Sequence, residues 1–182
     1  MKKKLFLFSI ILIILFGIFN FFLKDDAMKP EDFKNSYPIL QIEKYFEGGV
    51  YAYGMLQDRK GKVIRQFRAT MFGKYENNIL TLEEFFSWHD GEKQKRIWKI
   101  KKIDEHNYIG TAEDVVGEAK GFSYGSAFKF EYYLMVPFKG KNIKIKFDDW
   151  IFKQSDKIAI NRATLSKFGF KVGELTVVFE KH

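Results

Sequence analysis

From Val63 to the C-terminus the chain is built of short segments in which apolar residues recur at every second position. "VIRQFRATMF", "ILTLEEFFSW", "KRIWKIKKI", "FKFEYYLMV", "IKIKFDDWIF", "KIAINRATL" and "ELTVVFE" follow one another in this pattern. A period of two is the signature of a half-buried strand, because successive side chains leave a strand on opposite faces. Between the segments lie turn-forming clusters: "DRKG" (58–61), "YENN" (75–78), "HDG" (89–91), "DEHN" (104–107), "FKGKN" (138–142) and "KQSD" (153–156). Evenly spaced strands joined by Gly, Asn and Asp turns predict an antiparallel meander. No long helical period interrupts it. An up-and-down barrel leaves no open edge, so a closed barrel is expected over a sandwich. Upstream, "SYPILQIEKYFEGG" (36–49) reads as one short helix, capped by Ser36, with Pro38 in its first turn and Gly48 at its end.

The first residues carry a different signal. "MKKKLFLFSIILIILFGIFNFFLK" begins with three lysines and continues through nineteen uncharged residues, Leu5 to Leu23. That length suits a bilayer-spanning helix, whereas a cleaved secretory signal has a shorter apolar region and a small-residue cleavage site. The expectation is an uncleaved anchor over 1–24, a charged linker over 25–36 and a barrel domain over 37–182. Lys2 to Lys4 on the cytoplasmic side would place the barrel in the periplasm, with residues 5–23 in the inner membrane.

Composition excludes several function classes. There is no cysteine, hence no disulfide framework and no thiolate metal site. His89, His106 and His182 show no ligand spacing, so no metal is expected, and no cofactor motif appears. The net charge of +8 is distributed among alternating Lys, Glu and Asp, without the basic stripe that a nucleic-acid footprint requires. The glycines of "GTAEDVVGEAKGFSYGS" (110–126) do not make a phosphate loop, because no Lys-Ser/Thr pair and no helix follow. Asp114 and Glu118 in that stretch read as solvated loop acids.

Strand parity then names the interior. Phe128, Phe130, Tyr132, Leu134 and Val136 share a face. Phe67, Ala69 and Met71 carry Arg65 with them; Leu80, Leu82 and Phe86 carry Glu84; Trp98 and Ile100 carry Arg96; Ile158 and Ile160 carry Arg162. In "IKIKFDDWIF" an uninterrupted register turns Asp149 inward and leaves Asp148 outside with Trp150. The alternative is a β-bulge at the two aspartates, which brings Trp150 and Phe152 inside. The candidate ligand-binding set is therefore Arg65, Glu84, Arg96, Trp98, Asp149 and Arg162. Three arginines against two acids suggest a spare positive charge able to receive a ligand's carboxylate or phosphate, with a fatty acid or lipid as the expected partner. The competing readings are a packed barrel that serves as an interaction module, and an enzyme using Asp148, Asp149 or His89.

The ordered series "DRKGKVIRQF", "HDGEKQKRIW", "GTAEDVVGEAKG", "FDDWIF" and "NRATLSKFGFKVGE" resembles the domain-of-unknown-function 3833 family of small bacterial envelope proteins. The similarity covers residues 37–181. The resemblance implies a lipocalin-like β-barrel at the cell envelope with no established activity, and an association with membrane-lipid modification. Members of that family look like lipoproteins, from which this chain departs in having no cysteine after its apolar segment.

Overall fold

A computed structural model describes residues 28–138 and 140–182. Its ten strands are β1 (Gly48–Asp58), β2 (Val63–Glu76), β3 (Ile79–Trp88), β4 (Lys93–Lys102), β5 (Asn107–Thr111), β6 (Ala119–Tyr124), β7 (Ala127–Phe138), β8 (Lys141–Lys153), β9 (Ile158–Lys167) and β10 (Phe170–Lys181). Every strand pairs antiparallel with its sequence neighbours, and β1 closes on β10. The all-β barrel therefore has ten strands, where a lipocalin-like barrel implies eight. Strand number sets the diameter, so the extra pair leaves more interior to fill.

Among the described residues helix is almost absent. A 3₁₀ turn spans Pro30–Phe33, and a single α-helical turn, α1, spans Ile42–Tyr45. The helix expected over 36–49 is thus corrected to four residues. Ser36 does not cap it; its hydroxyl bonds the Phe33 carbonyl at 2.7 Å and accepts the Ser126 N–H at 2.9 Å. The chain is pinned there to the β6–β7 turn. Gly48, at φ +84°, opens β1 directly.

The expected transmembrane helix also needs correction. Among the described residues no helix is long and apolar enough to cross a membrane. Residues 5–23, on which that expectation fell, lie outside the described residues. The inner-membrane anchor and the periplasmic placement drawn from it have no support in the structure.

In a meander, alternate turns lie at the same end of the barrel. The β2–β3, β4–β5, β6–β7 and β8–β9 turns share one end, which α1 closes from below. Leu40 N–H donates to the Gly125 carbonyl at 2.8 Å, and the Ser123 hydroxyl donates to the Leu40 carbonyl at 3.0 Å. Tyr45 donates its hydroxyl to the carbonyls of Lys157 and Phe179. Glu43, buried beneath the turn, takes Lys102 Nζ at 2.5 Å and the Tyr108 hydroxyl at 3.0 Å. The α1 turn approaches β2 at Gly73, where any Cβ would run into the Phe46 carbonyl.

The outer wall of β8 is covered as well. Phe33 packs its ring 5.8 Å from Trp150 and 5.4 Å from Phe152. Those two residues face outward because β8 runs without a bulge, pairing Leu134 with Ile145 and Phe130 with Asp149 in one continuous register. An outward tryptophan beside two aspartates is explained by this cover.

Candidate functional site

The interior holds a cavity of about 360 Å³, floored by Ile42 and Phe46 and reaching toward Glu92, Pro137 and Val172 at the opposite end. Its walls are aromatic. Trp98 lies 5.1 Å from Phe130 and 5.3 Å from Tyr132, and Phe67 lies 5.0 Å from Trp88, measured between ring centroids.

Within this apolar wall the inward parity of β3, β4, β7, β8 and β9 sets a polar belt. Glu84 on β3 and Arg96 on β4 are directly cross-strand. Arg96 nevertheless turns its fork to Asp114 in the β5–β6 loop, with Nε at 3.0 Å and Nη2 at 2.7 Å from Oδ2. Its Nη1 stays 3.6 Å from Glu84 Oε2, beyond hydrogen-bond distance. Glu84 is only 6% exposed, and its Oε2 has no hydrogen-bond partner. Burial pushes the Glu84 carboxyl up to about 7, against the opposing pull of Arg96. The neighbouring charges of Asp114 and Asp149 push in the same direction as burial.

Asp149 on β8 has a different setting. Tyr132 donates its hydroxyl to Oδ2 at 2.9 Å, and Asn161 Nδ2 donates to Oδ1. Asn161, 2% exposed, also donates to the Trp150 carbonyl at 3.1 Å. Burial raises Asp149 to about 6, although both donors favour its charged form. The same burial, with the Asp149 carboxylate alongside, holds the Tyr132 phenol well above its ordinary value.

Arg65 sits at the mouth rather than in the belt. Its Nη2 bridges Asp90 at 2.7 Å and Glu92 at 2.8 Å, and its guanidinium lies 3.9 Å from the Trp88 ring centroid. The expected inward position of Arg162 is overturned. Its side chain is 64% exposed and pairs with Glu174 at 3.1 Å. The reason is register: Asp149 faces Ala163 across the β8–β9 ladder, so Ala159, Asn161, Ala163 and Leu165 point inward and Arg162 lies outside opposite Trp150. Of the six expected residues, Glu84, Arg96, Trp98 and Asp149 meet in the belt, Arg65 caps it and Arg162 is outside.

Parity could not reach Asp114, which lies in a loop. A surplus of inward arginine was the available sign that another acid was needed. Asn161 was hidden by reading β9 in the opposite phase. His89 takes no part in the belt: its Nδ1 accepts the Gln66 N–H at 3.2 Å. Among the described residues no group of three or more acids or histidines is placed to hold a metal ion.

The sequence matches a family profile described as "Protein of unknown function (DUF3833)" over residues 21–181. The chain belongs to the DUF3833 family. Among solved structures, this DUF3833 chain is similar to a protein of unknown function from the DUF3598 family of Nostoc punctiforme. The two share 13% identity and a TM-score of 0.60, over 80% of this chain and 51% of the other. The DUF3833 chain thus spans about half the length of that protein. It is also similar to the S-type phycobiliprotein lyase from Guillardia theta, at 8% identity and a TM-score of 0.56, covering 86% and 94% of the two chains. Such identities show a shared fold alone. No curated protein matches the sequence.

The expectation of a membrane-anchored fatty-acid or lipid binder is overturned on these findings. Neither similar structure is described by a lipid. The spare guanidinium that was to receive an anionic headgroup is also missing, since Arg96 is clasped by Asp114 and Arg162 is outside.

Proposed function

We propose that the barrel of this DUF3833 protein is a binding module for a small organic molecule. The flat apolar body of that molecule lies against the tryptophan and phenylalanine wall, and a hydrogen-bonding group reaches Glu84. The observation that carries this reading is the unpartnered Glu84 Oε2 beside a cavity of about 360 Å³. Buried polar atoms are almost always hydrogen-bonded, and one left without such a bond at a cavity is open to a polar group of a ligand. The volume falls in the lower part of the range of about 300–1,000 Å³ common to ligand pockets, which suits one compact molecule.

Calorimetric titration of the full-length chain with the neutral probe naphthylmethanol tests the reading. Saturable binding is expected, and it should be lost in the cavity-filling variants Ala52→Leu and Leu82→Trp, whose residues line the cavity. Retention of the wild-type circular dichroism confirms that those variants are folded. Binding that persists unchanged in both variants refutes an interior site.

A further inference from the structure

We infer that the interior selects a basic ligand: an aromatic or heteroaromatic molecule whose protonated nitrogen docks against Glu84. The inference rests on the small-molecule reading above and specifies its occupant.

The sign of the enclosed charge is the first argument. The cavity lining presents the carboxyls of Glu84, Glu92, Asp114 and Asp149 against the guanidinium groups of Arg65 and Arg96. At the mouth, Arg65 is outnumbered by Asp90 and Glu92. The chain as a whole carries +8. The interior is therefore of opposite sign to the protein that encloses it, and a low-dielectric wall concentrates that field.

The second argument concerns which groups are occupied. The Nε and Nη2 of Arg96 are committed to Asp114, and Nη2 of Arg65 to Asp90 and Glu92. The Arg65 Nε–H is buried without a hydrogen-bond partner, but its guanidinium sits 3.9 Å from the Trp88 ring centroid. No cavity arginine thus presents an open fork for the bidentate grip that a carboxylate or phosphate requires. Single N–H donors are open at Arg65 and Trp88, which pack against each other near the mouth, and in the belt the open group is an acceptor oxygen of Glu84.

The third argument is the wall. Aromatic faces attract cations, and this wall already holds two: Arg65 over Trp88, and Arg96 at 5.6 Å from the Phe86 centroid. A ligand that is both flat and cationic satisfies the rings and the carboxyl together.

Titration follows from the same geometry. The groups facing Glu84 are Arg96 from β4, Asp114 from the β5–β6 loop, Tyr132 from β7 and Asp149 from β8, while Met71 opposite on β2 is apolar. Glu84, which titrates near 7, must release its proton to serve as counterion. The affinity for an ammonium should therefore fall by about tenfold from pH 8 to pH 6, following the ionised fraction of the carboxyl.

The experiment compares naphthylmethylamine, naphthylmethanol and naphthoate, three probes of one shape and different charge, on the full-length protein and on Glu84→Gln. The amine is expected to bind about tenfold more tightly than the alcohol at pH 8, and naphthoate weakest of the three. In Glu84→Gln the amine should fall to within roughly threefold of the alcohol and lose its pH dependence. If the alcohol binds while the amine gains nothing, or naphthoate binds best, the basic-ligand inference is overturned and the interior site stands. If wild type binds none of the three, both are overturned.

Discussion

Replacing Glu84 by glutamine should stabilise the barrel at alkaline pH and leave it nearly unchanged in acid. The carboxyl titrates near 7 in the folded chain against an ordinary value of 4.5. Each tenfold change in proton affinity corresponds to about 1.4 kcal/mol, so the difference between folded and unfolded chains amounts to ~3 kcal/mol. The folded chain keeps a proton that the unfolded chain releases. Stability therefore declines as pH rises from 4.5 to about 7, and the whole ~3 kcal/mol is lost above that window. Glutamine cannot ionise and shows no such decline. Arg96 is not orphaned by the change, because its Nε and Nη2 remain on Asp114. Urea unfolding followed by tryptophan fluorescence at pH 5 and pH 8 measures the difference between variant and wild type. It should be no more than about 1 kcal/mol at pH 5 and ~3 kcal/mol in favour of glutamine at pH 8, the latter about 6–12 °C in Tm for a chain of this size. Titration of Glu43, at the closed end, cancels in that comparison. A variant equally destabilised at both pH values would mean that Arg96 keeps the carboxylate ionised throughout, and the reasoning would fail.

Two further outcomes follow from the packing. Gly110 faces inward on β5, where an added Cβ would meet the Phe130 ring; Gly110→Val should cost ~1–3 kcal/mol by urea unfolding, and Phe130→Leu in the same chain should recover part of it. At the closed end burial raises Glu43, but hydrogen bonds from Lys102 and Tyr108 outweigh it and hold the carboxyl below its ordinary value. The lock they form is fully present above the ordinary carboxylate range and fades as pH falls through the lowered value, so Glu43→Gln should destabilise by ~1–3 kcal/mol at pH 7 and by less in acid. Hydrogen exchange of the amides of 40–46 reads that loosening directly.

The long strands were legible because one face of each is predominantly apolar: β2, β3, β7 and β8 are of this kind, even with Arg65, Glu84 and Asp149 on the inward faces of β2, β3 and β8. β5 and β6 were not. Their inward positions include Gly110 and Gly121, which have no side chain to register a period, since the rings of Phe130 and Phe128 fill the space. The stretch 110–126 consequently reads as a loop although two strands begin or end in it. β1 is similarly masked by Gly54, which makes room for the Phe67 ring. β9 misleads for a related reason. Ile158 and Ile160 carry the stronger apolar signal, yet the interior beside Asp149 accepts only Ala159, Asn161 and Ala163. Single-strand parity cannot detect that crowding; it is a property of the neighbour across the ladder. Glu84, Arg96 and Asp149 were readable because their own strands alternate cleanly, and Asp114 was not because its position depends on a loop closing over β4.

The two buried acids have unequal explanations. Asp149 has its hydrogen-bond capacity taken up by Tyr132 and Asn161 and fixes three strands relative to one another. Its presence is accounted for by structure. Glu84 sits on a strand whose preceding inward residues are Leu80 and Leu82, both nearly fully buried. A third leucine there would remove the desolvation cost and give up no hydrogen bond to Oε2, since none is made. Replacing a buried charge by a packed apolar side chain is often neutral or stabilising. Asp114 holds Arg96 through two nitrogens, and Glu84 adds a longer charge contact at 3.6 Å without a hydrogen bond. A carboxyl that weakens the fold when ionised, makes no hydrogen bond through Oε2 and faces a cavity supports the proposed reading, in which a donor nitrogen arriving at Oε2 offsets its burial.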